Sequence, residues 1–430
     1  MTPVKVNVQS EIGRLKGVIL HTPGAEVENM TPRTAQRALY SDILNLSIAQ
    51  KEYAQLNGVL KKYTKTYQVN DLLKTVLDDR MQRDTLVRKI CSVENAMDYF
   101  DSLMDLSSNE LTTLLIEGLP AKIDTLTAYI KDEYYALSPL YNFYFTRDAS
   151  ASVGKDVLIC KMANQVRVRE SMIMQAIFEC QQLFDCEMIN ANDYSHEKVG
   201  EGGTAGSQVN AGLTIEGGDV EVVNDHILLI GNGLRTSTQG IDMMISRFCK
   251  DKTEGEKYIL VQELPGNVES FIHLDMVFTM LDRDSCLIYE PLILGDNEYR
   301  TVLITIDNGK VKNIKTVANI ISALRRLGVD MKPVICGGDD EWNEEREQWH
   351  SGANSFALAP GKVFSYARNV HTIEAMNDSG YEIIAAKDII AGKKDVDDYK
   401  RCVITLEGSE LPRGGGGARC MTMPVVREKI

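Results

Sequence analysis

Glu216-Gly217-Gly218-Asp219-Val220-Glu221-Val222-Val223-Asn224-Asp225-His226-Ile227-Leu228-Leu229-Ile230 is the stretch from which the fold is read. Asn224-Asp225 is a turn dipeptide, and β-forming residues flank it on both sides. The spacing predicts a β-hairpin over 220–230, turning at Asn224-Asp225. Phe356 to Tyr366 has the same form, with its turn at Pro360-Gly361. Gly-Gly-Asp recurs at 337–339, again behind an apolar run. Several hairpin-plus-helix units of comparable size suggest a repeated architecture arranged around an axis. A doubly wound sheet, with parallel strands and fewer hairpins, ranks second.

Further strands are expected at 16–21, 66–69, 157–160, 258–261, 285–289 and 302–306. Helices are expected around 41–63, 167–183 and 317–327, the last closed by Gly328. His273-Leu274-Asp275 alternates polar and apolar residues, which in a strand puts His273 and Asp275 on one face. From about Asp71 to Leu137 glycine and strand signals nearly vanish. Ser107-x-x-Glu110 there is a capping box ahead of Leu111, Leu114 and Leu115. This block reads as a cluster of helices inserted into an α/β body.

The 430 residues are 44% hydrophobic, ample for a large core. The formal net charge is −14. Nucleic-acid binding needs a cationic face, so no nucleic-acid partner is expected. No run approaches the roughly 18 apolar residues of a membrane span, and no secretory signal is visible. No membrane association is expected, and the address by default is cytoplasmic. The nine cysteines are odd in number and lack a CxxC, against a disulfide framework or zinc ribbon.

One cysteine stands apart. Cys420 follows Gly414-Gly415-Gly416-Gly417-Ala418-Arg419 near the C-terminus. A glycine run lets the chain approach a ligand closely. Arg419 is a cation that could favour the nucleophilic thiolate. His273 suits proton transfer near neutral pH. Glu216 could orient a histidine or bind a cation, and Asp148, in Phe145-Thr146-Arg147-Asp148, could bind a cationic group. Arg147 reads equally as a structural ion-pair partner. Arg167 and Arg235 suit carboxylate recognition. Without a second His or Cys at ligand spacing, no metal site is expected.

The ordered set Asn142, Asp148, Arg167, Glu216, Arg235, His273-x-Asp275, Cys420 resembles the arginine deiminases of the guanidine-modifying, or pentein, superfamily. Matching segments run from Ser10-Glu11-Ile12-Gly13 and His21-Thr22-Pro23-Gly24, through Thr31-Pro32, Tyr144–Asp148, Val166–Glu170, Glu216–Val220 and His273–Asp275. They continue with Arg346–Trp349 and Tyr366–Asn369 to Ala418–Pro424. The resemblance implies an α/β fold: a five-bladed pseudo-symmetric α/β propeller (pentein) over 1–70 and 138–430, with an inserted helical domain at 71–137.

It also implies the chemistry, a hydrolysis of L-arginine to citrulline and ammonia that begins arginine catabolism by the deiminase pathway. Cys420 is then the nucleophile and His273 the general acid/base. Asp148 and Asp275 grip the guanidinium, Glu216 orients His273, and Asp219 supports the arginines. Asn142, Arg167 and Arg235 read the α-carboxylate, and the Leu39 and Gly414 carbonyls meet the α-amino group. A thiouronium on Cys420 would split one hard hydrolysis into two steps. No metal or organic cofactor is implied, and by analogy with relatives a homo-oligomer, dimer or tetramer, is expected. Two departures stand out: Ala149 follows Asp148 where proline is usual, and the 414–417 run is richer in glycine.

Other readings share parts of this set. Agmatine lacks the α-carboxylate, which leaves Arg167 and Arg235 without a task. An amidinotransferase would pass the amidino group to an amine. A catalytically silent arginine-binding protein on the same scaffold would not need Cys420 and His273 intact.

Overall fold

The computed structural model describes residues 2–31, 35, 40, 42–131, 134–194, 212–251, 254–266 and 269–430. Among them, five sheets of three or more strands repeat one plan. In each, a central strand has an antiparallel partner on one side, a hairpin neighbour in four of the five, and a parallel strand on the other. Ile227–Asn232 lies between Val220–Asn224 and Lys257–Glu263. Asp156–Ile159 lies between Ser150–Val153 and Glu187–Asn190. Ser285–Ile288 lies between Phe278–Asp282 and Lys332–Ile335. Lys362–Tyr366 lies between Phe356–Ala359 and Cys402–Leu406. In the remaining sheet Leu15–Leu20 pairs with Lys65–Gln68 and, antiparallel, with Met423–Arg427 near the other end of the chain.

The parallel strand needs a crossover, and helices supply it. Leu46–Tyr63, Val168–Glu179, Thr238–Lys250, Ile320–Arg326 and Val370–Asp378 each lie between a central strand and its parallel neighbour. The central strands are apolar on both faces. Val157, Leu158, Ile159, Leu228, Leu229 and Ile230 are all fully buried. Burying a side chain of this size contributes roughly 1.5–3 kcal/mol.

Both expected hairpins form. The first turns at Asp225-His226, one residue later than its turn dipeptide suggested. Asn224 Oδ1 there accepts from His226 N at 2.9 Å and Ile227 N at 3.0 Å, so the side chain builds the turn. The block after residue 69 is helical as expected. Val69–Asp78, Arg80–Val93 and Ser108–Glu117 form there, the last with its capping box. These helices share one hydrophobic cluster with Val168–Glu179, through residues such as Leu73, Val87, Leu115, Ile173 and Ile177. No helix among the described residues is long and apolar enough to cross a membrane.

Three expectations are corrected. The helix expected over 317–327 is strand Lys310–Val317 followed by helix Ile320–Arg326. That strand extends the sheet of Ile227–Asn232 as an antiparallel partner of Thr301–Asp307, which itself pairs with Lys257–Glu263. The helix expected from Arg167 begins as a 3-10 turn at Gln165–Arg167 and becomes α-helical at Val168. His273-Leu274-Asp275 is not a strand. His273 is extended, and Leu274–Met276 is a 3-10 turn. The backbone groups that a ladder would use go elsewhere. Leu274 N donates to Asp219 Oδ1 at 2.9 Å, and Gln348 Nε2 donates to Ser270 O and Met276 O.

Candidate active site

The repeat places the chemistry. In each of the five units, the residues just ahead of the antiparallel outer strand form a short turn, and each turn carries a polar group to one site. Thr146–Ala149 precedes Ser150–Val153 and carries Asp148. Gly217–Asp219, directly behind Glu216, precedes Val220–Asn224. Leu274–Met276, behind His273, precedes Phe278–Asp282 and contains Asp275. Asn354 lies two residues ahead of Phe356–Ala359. Cys420 lies three ahead of Met423–Arg427. All of these side chains are buried.

His273 Nε2 is 2.9 Å from Glu216 Oε2, and its Nδ1 is 3.7 Å from Asp148 Oδ1. That Nδ1 and that Oδ1 are buried without a hydrogen-bond partner. Burial alone would depress the His273 pKa. Asp148, the Glu216 hydrogen bond and Asp219 outweigh it and raise it to about 9. Glu216 is held at about 2: burial opposes ionisation, but His273, Arg235 and Arg167 dominate. The pair is therefore an imidazolium on a carboxylate at neutral pH.

Two glycines make the pair possible. A Cβ on Gly218 would lie 2.5 Å from His273 Nδ1, and one on Gly217 would lie 2.1 Å from Arg147 O. Asp219 anchors the other side, accepting from Leu274 N at 2.9 Å and Thr236 Oγ1 at 2.6 Å. Its contacts are thus with the His273 segment. Among the described residues it makes no ion pair with Arg167 or Arg235. Burial raises its pKa to about 7.

Arg167 sits in a cage of carboxylates. Nη1 meets Asp148 Oδ2 at 2.7 Å, Nη2 meets Glu170 Oε2 at 2.8 Å, and Nε is 3.1 Å from both Glu170 oxygens. Nη2 also points at Asn142 O, 3.5 Å away. Arg235 is less committed. Its Nη1 lies 3.8 Å from Glu216 Oε1, and its side chain keeps 12% exposure.

Cys420 Sγ lies 3.6 Å from Asp275 Oδ2 and 3.8 Å from Oδ1. Burial and the Asp275 and Asp148 carboxylates push the thiol well above its ordinary pKa, against Gly417 and Arg419. Arg419 does not act on the sulfur freely, because its charge is already shared. Nη1 meets Asp275 Oδ2 at 2.8 Å, while Nε and Nη2 meet Glu11 at 3.2 Å. Arg147 is structural, as one reading had it: Nε donates to Thr422 O at 2.8 Å and Nη1 is 3.7 Å from Glu11 Oε2.

The glycine run is pressed against side chains. A Cβ on Gly414 would lie 1.9 Å from the Tyr144 hydroxyl, and one on Gly417 would lie 2.6 Å from Asn354 Oδ1. Leu39 lies outside the described residues. Asn354 was missed by sequence reasoning. Its signal was present: it stands ahead of a correctly read hairpin, where Glu216 stands ahead of another.

Asp148, Glu216 and His273 offer ligand atoms within 4.8 Å of one another, a spacing that could hold a metal ion. Two features oppose this. The imidazole is protonated near neutral pH, and Arg167 and Arg235 already neutralise the carboxylates.

An amidinotransferase from Microseira wollei, SxtG, superposes with a TM-score of 0.51 at 13% identity, over 99% of this chain and 98% of that one. That likeness is one of fold, a mixed α/β fold of the pentein type. Arginine deiminases of Streptococcus uberis and Mycoplasma capricolum are each 31% identical, over 99% of this chain and 98% of their own. The arginine deiminase of a Bacillus cereus strain is 31% identical over 99% of both chains. The family model for arginine deiminase matches residues 36–427, and with full-length relatives above 30% identity the chain belongs to the arginine deiminase family.

Proposed function

We propose that this chain converts L-arginine and water to L-citrulline and ammonia through a covalent thiouronium on Cys420. The observation that carries the reading is a buried Cys420 sulfur beside Asp275, in a site shared with a His273–Glu216 pair and with Asp148. A guanidinium is a planar, resonance-stabilised cation and a poor electrophile. Carboxylates on its nitrogens fix its plane and aim its central carbon at the sulfur. Asp148 Oδ1 and His273 Nδ1 are buried without a hydrogen-bond partner, so Oδ1 is free to accept a guanidinium N–H and Nδ1 to serve the leaving amine.

The resting thiol keeps its proton, because two carboxylates oppose a thiolate. An arriving guanidinium cancels that opposition, so the thiol loses its proton to solvent as substrate binds. The thiolate then attacks the guanidinium carbon. The C–N bond breaks as His273 gives its proton to the departing nitrogen, and ammonia leaves. A thiouronium on Cys420 and a neutral His273 remain. His273 next takes a proton from water, the resulting hydroxide adds to the same carbon, and the C–S bond breaks. Thiolate and citrulline are released, and the excess proton passes to solvent. His273 thus serves as acid and then as base.

Arg235, with Asn142 and Arg167, reads the substrate α-carboxylate in this proposal. Arg235 carries more of that task, since Arg167 is held by Asp148 and Glu170. The Gly414 carbonyl and Leu39 meet the α-amino group. The five sheets are the blades of a five-bladed propeller, residues 71–137 are its helical insertion, and the chain assembles as a homo-oligomer. What supports the blade reading is the shared pairing pattern of the five sheets.

The test is citrulline and ammonia release from L-arginine with a chelator present, run beside agmatine and beside Cys420→Ala. Equimolar products from arginine, inert agmatine and a silent Cys420→Ala are expected. Activity lost to the chelator would favour the metal reading of Asp148, Glu216 and His273. Turnover by Cys420→Ala would remove the nucleophile assignment.

A further inference from the structure

Every unit of the repeat brings a polar group to the site, and four are absorbed by the proposed chemistry. The fifth is Asn354. It is buried at 1% exposure, with its amide against the Cys420 loop. Its Oδ1 accepts from two backbone donors, Arg419 N at 3.0 Å and Cys420 N at 3.3 Å. Its Nδ2 donates to Asp275 O at 3.0 Å and lies 3.2 Å from Cys420 Sγ.

The orientation of this amide follows from its neighbours. Two N–H groups can only face an oxygen, and a backbone carbonyl can only face an NH2. One amide hydrogen goes to Asp275 O, and the second points at the sulfur. A flipped amide would set donor against donor at Arg419 and Cys420, and acceptor against acceptor at Asp275.

We infer that Asn354 is a catalytic residue: its side-chain N–H donates a hydrogen bond to the Cys420 sulfur and stabilises the thiolate, both as nucleophile and as leaving group. This deepens the proposed function and rests on Cys420 as the reacting thiol. Charge-assisted hydrogen bonds are stronger than neutral ones, so the bond strengthens as the thiol ionises. It weakens when sulfur bonds to carbon and returns when the thiolate departs. The donor acts on charge that develops during reaction, in a site closed to water, which is where such a group is worth most. The same amide ties the nucleophile loop to the Asp275 backbone. Gly417 is glycine for this reason, since a Cβ there would overlap the Asn354 oxygen.

The test follows iodoacetamide alkylation of Cys420 across pH in the wild type and in Asn354→Ala, with Cys420→Ala as background. Asp275, Asp148, Arg419, Tyr144 and Tyr366 are the charged and titratable groups that act on this thiol. All of them remain in both proteins, so a change in midpoint reports Asn354. An upward shift of about one unit is expected, a tenfold loss of thiolate at any pH below the midpoint. The arginine kcat should fall about 10- to 100-fold with KM nearly constant. An unchanged midpoint would overturn the inference, even if kcat fell, and leave Asn354 as a holder of the loop.

Should Asn354→Ala fail to fold, wild-type protein labelled with 15N-asparagine gives the answer. The Asn354 side-chain N–H resonance should move with the midpoint of the thiol titration, and a resonance indifferent to it would overturn the inference. Neither readout involves arginine. A midpoint shift without arginine turnover would retain the hydrogen bond and reject only the substrate.

Discussion

Gly-Gly-Asp at 217–219 and Gly-Gly-Asp at 337–339 are identical in letters and unlike in cause. The first stands ahead of the outer strand of its unit, with neither glycine in the left-handed region. Its glycines are required by proximity, since a Cβ would meet Arg147 O or the His273 ring. The second stands behind the parallel strand Lys332–Ile335 and leads into helix Glu341–Trp349. Its glycines have φ of +86° and +74°, a handedness that L side chains resist. Asp219 is buried and holds the His273 segment, whereas Asp339 is exposed. A tripeptide repeat therefore does not mark equivalent places. The structural repeat is carried by hairpins and their entering turns.

The comparison breaks first at Gly218. A methyl at 218 would lie 2.5 Å from His273 Nδ1 and 2.6 Å from its Cγ. The imidazole must move, and with it the proposed proton donor. Since misplacing a reacting group by 1 Å costs on the order of 100-fold, Gly218→Ala should lower kcat at least that much. Steady-state citrulline formation checks it. Near-normal turnover would show that the ring has room to shift and that proximity is not why glycine stands here.

The fold's repeat was legible where local chemistry dictates structure. Asn224 builds its own turn, and Pro360-Gly361 places glycine at φ +73°. Strand Lys310–Val317 was hidden because its lysines and apolar residues face water nearly throughout, so neither face gives a burial signal. His273-Leu274-Asp275 imitates a strand in its alternation, yet Asp219 and Asn354, distant in sequence, take its backbone groups. The charged members of the site could be read from residue type. Residue type does not mark Asn354, whose one signal was its place ahead of a hairpin, because an amide that does not titrate takes its role from the two N–H groups and the sulfur brought to it by folding.

The second region sharpens the contrast through its own titration. Glu344, whose backbone nitrogen lies against Gly337, is buried with Oε2 unpartnered. Burial, with Glu290, Glu341, Asp339 and Asp340 nearby, raises its pKa from 4.5 to about 7. A carboxyl raised on folding contributes stability below its unfolded pKa and loses it as pH rises through the folded one. Glu344→Gln keeps the neutral form at every pH. Its stability relative to wild type should therefore grow by about 1–2 kcal/mol between pH 5 and 8.5. Urea unfolding at both pH values checks this, and a gap independent of pH would mean Glu344 is already ionised in the folded protein.

The smallest effect belongs to Gly338. The nearest atom to a Cβ there is His371 O at 3.9 Å, so space is not the constraint. What remains is φ of +74°, and placing an L side chain in that region costs roughly 1 kcal/mol. Gly338→Ala should lose about that much stability in urea unfolding and leave kcat and KM for arginine unchanged. The pairing with Gly218→Ala matters more than either variant alone. The same methyl, added at the middle glycine of the same tripeptide, should stop catalysis in one place and merely strain a turn in the other. A catalytic defect in Gly338→Ala would mean that the turn into helix Glu341–Trp349 reaches the site through Gln348 and Asn354, and that the two segments are linked in function after all.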